Sequence, residues 1–140
     1  MKHSPREFWL VAEAFILLGC TQILLRVCHF QRLRRILGRV MNVALWVSPR
    51  SVPADTLAWA LRAARRRLPF YATCFGEAVA AESLFRRYGY TPVMRVGAMR
   101  REGAFRAHAW LELDGVVVVG GPESVVREYK PLSTFPLHVL

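Results

Sequence analysis

The sequence predicts an α+β domain, helices first and an antiparallel β-meander after them, and three observations carry that prediction. Up to about residue 90 the apolar residues recur at helical spacing. From Pro92 onward the period falls to two. Within that alternating part lies Asp114-Gly115, a dipeptide that prefers the type I′ turn of a tight hairpin. The 140 residues, 54% of them hydrophobic, are enough for one domain with a real core and exclude a disordered chain. A single domain over 1–140 is expected, with a helical N-terminal part to about residue 68 and the remaining core from about 69. No internal repeat, low-complexity tract or linker interrupts it.

Taken in order, Ser4-Pro5-Arg6-Glu7 combines a capping box with proline at the first helical position, so a helix should begin near residue 5. Its apolar run, Phe8 to Val27, contains only Glu13 and Arg26 as charges. That length could nearly span a bilayer, but a glutamate near its centre would cost about 2.5–3.5 kcal/mol there. A buried or interfacial helix is expected instead, and a signal peptide fits worse because no small-residue cleavage site follows. The basic cluster Arg26, Arg32, Arg34, Arg35 and Arg39 leaves peripheral membrane association through residues 5–27 open. Residues 31–47 read as a second amphipathic helix, closed by Ser48-Pro49. Pro53 starts a third, which runs to about Arg67 and is stopped by Pro69. A fourth begins at Cys74 behind Thr73, an N-capping hydroxyl, and ends at Gly89. Strands are expected from Pro92 to Arg100, Phe105 to Leu113 and Val116 to Val119, and nothing is assigned beyond Ser124.

Twenty basic residues against ten acidic give a net charge of +10, which suits anionic partners. Eighteen of the twenty are arginine and are dispersed along the chain, so composition bias explains them as well as electrostatics does. No nucleic-acid motif accompanies them, and a nucleic-acid partner is not expected. The three cysteines, Cys20, Cys28 and Cys74, form an odd set without C-x-x-C spacing, which argues against a disulfide framework and a structural zinc site and for a reducing cytoplasm. Cys20 and Cys28 lie in apolar surroundings and are expected to be inert packing residues.

Cys74 is different. A thiol at a helix start meets the positive end of the helix dipole, which favours thiolate, the form that attacks a carbonyl carbon. In A-H-A-W-L-E-L-D-G, His108 falls on a strand and shares a face with Trp110 and Glu112. Taken alone, the cysteine reads as a buried thiol and the histidine as a half-buried hydrogen-bonded one. Together they offer a nucleophile and a general base. His3, His29 and His138 have no comparable setting.

The run C-F-G-E-A-V-A-A-E-S-L-F-R-R-Y-G-Y-T-P-V-M-R-V-G, followed by F-R-A-H-A-W-L-E-L-D-G, resembles the transglutaminase-like cysteine-protease domain of lasso-peptide biosynthesis B proteins. The apolar N-terminal helix before an arginine-rich segment and the K-P-L near the end are similar too, so the resemblance covers nearly the whole chain. It implies a papain-like arrangement and a leader peptidase that cuts a ribosomally made precursor peptide. It also implies two partners, a small leader-binding protein and an ATP-dependent cyclase. By this carry-over Cys74 would be the nucleophile and His108 the base and acid, with no cofactor or metal.

One departure concerns the third member, in the family usually an aspartate on the strand after the histidine. A two-residue turn at Asp114-Gly115 would place Gly120 or Gly121 opposite His108, and neither has a side chain. Asp114 itself would lie about 20 Å from His108 along the strand. Glu123 is the nearest acid in sequence and the weaker candidate. Two other readings remain open, an acyl transferase using the same pair with an amine in place of water, and a non-catalytic scaffold of the same maturation complex.

Overall fold

The computed structural model describes residues 4–27, 32, 35, 36 and 52–135. Helix α1 (Pro5–Val27), α2 (Ala54–Arg67) and α3 (Cys74–Arg87) precede β1 (Val93–Arg101), β2 (Ala104–Leu113) and β3 (Val116–Val119), with a short α4 (Glu123–Val126) leading to β4 (Lys130–Phe135). Most of the helix expected over 31–47 falls outside the described residues, though residues 32, 35 and 36 are helical. Cys28, His3, His29 and His138 lie outside them as well.

The helix ends follow from local chemistry. At the start of α1, the Glu7 N–H donates to Ser4 Oγ and the Ser4 N–H to Glu7 Oε2, the reciprocal pair of a capping box. Leu68, the residue before Pro69, takes an extended conformation that a following proline favours, and α2 stops there. Helix α3 closes in a Schellman motif. Gly89 has φ +82°, its N–H donates to the Arg86 carbonyl, and the Tyr90 N–H donates to that of Phe85. The rings of Phe85 and Tyr90, 5.8 Å apart, supply the apolar contact that accompanies this motif.

Helices α2 and α3 pack against the sheet, α3 the more extensively, and α1 packs against both of them to complete the helical layer. Leu10 and Ala14 of α1, Leu57, Leu61 and Ala64 of α2, and Val79, Leu84 and Phe85 of α3 meet Met94, Ala109, Leu111 and Val119 in one core cluster. Much of the helical side of that core is alanine, which lets the helices approach closely. Glu13 fits this layer instead of a bilayer. Its Oε2 accepts from Tyr88 Oη at 2.8 Å, and Oε1 lies 2.7 Å from Arg87 Nε, an ion-pair contact whose angle is too poor for a hydrogen bond. Burial, then the hydrogen bond to Glu13 and its charge, push the Tyr88 hydroxyl up to about 12 against the opposing charge of Arg87. By length and composition α1 could cross a membrane, yet Leu10, Ala14, Leu18, Thr21 and Gln22 are buried in the domain. Trp9, Ile16, Ile23 and Val27 are exposed, and Cys20 is exposed with them. The expectation that Cys20 is a packing residue is thus corrected: its helical position falls on the outer face.

The sheet order is β3-β2-β1-β4, all antiparallel. The first three strands are the expected meander. The fourth, in the stretch left unassigned by the sequence, returns to pair with β1, so both β1 and β2 are interior strands. Each hairpin turn has two residues at positive φ, Glu102 and Gly103 in one, Asp114 and Gly115 in the other, the signature of type I′.

Candidate active site

Cys74 stands at the first position of α3, where Thr73 caps the helix by accepting from the Gly76 N–H at 3.1 Å. The Cys74 N–H is one of the donors that a first helical turn leaves without an intrahelical acceptor. His108 lies in the middle of β2, directly across from Gly97 of β1. The missing side chain matters, because a Cβ at Gly97 would come within 2.8 Å of the Trp110 ring and 3.0 Å of Tyr129 Cβ. Those two side chains flank the imidazole, with ring centroids 6.2 Å (Trp110) and 5.1 Å (Tyr129) from it. Trp110 is held in turn by Glu112, whose Oε1 accepts from Trp110 Nε1 at 2.9 Å while Oε2 accepts from Arg95 Nε at 2.6 Å. Burial raises the Glu112 carboxyl, but these two hydrogen bonds and the charges of Arg95 and Arg127 outweigh it and leave the group below its ordinary value.

Cys74 and His108 line one cleft of about 540 Å³, together with Arg65, Tyr71, Glu77, Arg106, Ala107, Gly120, Gly121 and Tyr129. The structure therefore brings the two expected residues together. It does not bring in the acids considered with them: Asp114 sits in the hairpin turn, and Glu123 on α4 pairs with Arg127 and is not among the lining groups. What meets the imidazole is backbone, since His108 Nε2 lies 2.6 Å from the carbonyl oxygen of Gly120. A carbonyl only accepts, so Nε2 carries the hydrogen and, in the neutral ring, Nδ1 has the free lone pair.

The path to that contact differs from a regular hairpin. Pairing runs Leu113 to Val116 and Glu112 to Val117, then slips so that Leu111 meets Val119, leaving Val118 as an extra residue. The expected register, with Gly120 or Gly121 opposite His108, is corrected by this bulge. Gly120 instead lies against the backbone of Trp110, where a Cβ would stand 2.8 Å from Trp110 Cα, and His108 reaches along to its carbonyl.

One site residue went unnoticed in the sequence. Glu77, one helical turn after Cys74 and 4% exposed, accepts from Arg65 Nη1 at 2.8 Å. Burial raises its carboxyl, and the charges of Arg65 and His108 offset only part of that. Its i+3 spacing from Cys74 was the available signal. Among the described residues no group of three or more His, Cys, Asp or Glu could hold a metal ion.

N-terminal helices followed by an antiparallel sheet, with a cysteine-headed helix laid beside a histidine-bearing strand, make an α+β papain-like core. The chain belongs to the transglutaminase-like superfamily, whose family model matches residues 17–134. That superfamily includes cysteine proteases and acyltransferases, and its members are mostly catalytic. No curated protein and no solved structure matches the chain.

Proposed function

We propose that the chain is a cytoplasmic cysteine peptidase that removes the leader from a ribosomally made lasso-peptide precursor, acting with a small leader-binding protein and an ATP-dependent cyclase. The carrying observation is the shared cleft, in which the helix-start thiol and an imidazole with a backbone-fixed tautomer are both present. The resemblance of the cysteine-headed helix and the A-H-A-W-L-E-L-D-G string to the B proteins supplies the substrate class.

In this reading His108 Nδ1 takes the Cys74 thiol proton, and the sulfur attacks the scissile carbonyl carbon. The Cys74 N–H donates to the oxyanion that develops. His108 then gives its proton to the leaving amine as the C–N bond breaks, which leaves a thioester. Water, deprotonated by the same nitrogen, attacks the thioester; the C–S bond breaks, the leader leaves as a carboxylic acid and the thiol is restored. The acyl-transfer reading follows the same course to the thioester and differs only in an amine replacing the water, so product mass separates the two.

Incubating the precursor with the chain and the leader-binding protein, followed by mass spectrometry, tests the proposal. Cys74→Ala and His108→Ala should each abolish cleavage with the fold intact, and full activity in Cys74→Ala would end the cysteine-peptidase reading. Cleavage should be slow without the leader-binding protein, because the described elements are occupied by core and cleft. Equal rates at low substrate concentration would remove that partner from the scheme.

A further inference from the structure

Gln22 sits in the fifth turn of α1, 2% exposed, and its side chain reaches the residue immediately before Cys74. Its Oε1 accepts from the Thr73 N–H at 3.3 Å and from Thr73 Oγ1 at 3.2 Å, and its Nε2 donates to the Thr73 carbonyl at 3.2 Å. One amide thus engages every polar group of Thr73. With its proton directed to Gln22, the Thr73 hydroxyl is left with lone pairs facing the Gly76 N–H it caps. The Thr73 carbonyl has its second lone pair for the Glu77 N–H at 2.9 Å, the first bond inside α3. Gly76 completes the fit, since a Cβ there would fall 2.3 Å from Gln22 Nε2.

We infer that Gln22 is a positioning residue of the active site: by fixing both sides of Thr73, it sets the Thr73–Cys74 peptide and hence the direction of the Cys74 N–H and thiol. This rests on the nucleophile assignment above. The role needs a side chain that both donates and accepts at this reach. Glutamate lacks the donor, asparagine is one methylene short, and methionine keeps the volume with neither function. A neighbouring histidine or carboxylate would have tied the helix start to pH, and the neutral amide avoids that.

The test is native-state alkylation of the full chain by iodoacetamide at pH 7, read site by site by mass spectrometry. Cys20, exposed on α1 itself, serves as the internal reference. In the wild-type protein Cys74 should react faster than Cys20. In Gln22→Met its rate should fall about tenfold or more with Cys20 unchanged, a loss in the range that small misplacement of a reacting group produces. Against the precursor, kcat should fall by a similar factor with KM within about twofold, the mark of an interaction that acts in the transition state. Gly76→Ala, which pushes on the same amide from the other side, should shift the readings in the same direction and stands in if Gln22→Met does not fold. A fast Cys74 indifferent to both substitutions overturns the inference alone. A wild-type Cys74 no faster than Cys20 overturns the nucleophile assignment and this inference with it.

Discussion

Replacing Gly120 by alanine should be among the most damaging small substitutions in the chain, and Gly121 beside it provides the control. Both glycines have φ well into the positive region, +114° and +109°, where an L side chain is strained by about 1–3 kcal/mol. They differ in surroundings. A Cβ at Gly121 meets nothing within 4 Å, whereas one at Gly120 would stand 2.5 Å from Trp110 Cβ, 2.8 Å from Trp110 Cα and 3.2 Å from the Ala109 carbonyl oxygen. Two of those three atoms are backbone of an interior strand and cannot swing aside, so a further 1–3 kcal/mol or so of overpacking is expected. Gly121→Ala should therefore lose about 1–3 kcal/mol and Gly120→Ala about 2–6, against a total stability of about 5–15 for an ordinary domain. Urea unfolding measures this, with a shift of midpoint at constant m as the signature. Where Gly120→Ala still folds, displacement of its carbonyl from His108 should add a loss of cleavage. If Gly120→Ala proved no less stable than Gly121→Ala, the close packing of Gly120 on Trp110 would be refuted.

Two further outcomes are expected. The Tyr88 hydroxyl is raised from 10.0 to about 12 in the fold, so between those values the folded state keeps a proton that the unfolded chain has lost. Stability is then full below pH 10 and falls as pH rises toward 12, by roughly 2–3 kcal/mol from this group. Tyr88→Phe should flatten that part of the alkaline decline, and an unchanged difference between the two proteins from pH 9 to 12 would contradict the Glu13 contact. Glu123→Gln and Asp114→Asn should each keep most cleavage activity in single-turnover assays. A loss of about a hundredfold, roughly 2.7 kcal/mol of barrier, in either protein would show that a carboxylate reaches His108 after all.

What the sequence made legible was local. The Ser4 and Glu7 capping box, the Thr73 cap, the Gly89 terminus and the Asp114-Gly115 turn are each decided by residues within one turn of one another, and all are present as read. Features decided across the chain were not legible. The Gln22 to Thr73 contact joins residues 51 apart, and no periodicity in α1 marks one buried glutamine as a clamp. The Arg65 to Glu77 pair joins two helices whose arginines and glutamates look like ordinary solvated charge. Strand β4 carries two prolines' worth of discouragement around it, Pro131 within and Pro136 just beyond, and it tolerates Pro131 because it is an edge strand. The bulge at Val118 was hidden because V-V-V-V gives every register the same side chains.

The Gly120 carbonyl has an implication for how this site can vary. An orienting carboxylate can be neutralised by acid or deleted by one substitution, and a survey by residue type finds it at once. A peptide oxygen has no protonation state in the working range and is supplied by whichever amino acid occupies the position. A side-chain exchange removes it only indirectly, by forcing a change in the path of the chain, as the Cβ of an alanine at Gly120 would. The identity of residue 120 is then dictated by the strand beneath it, so the backbone nature of the histidine's partner and the glycine at that place have separate causes.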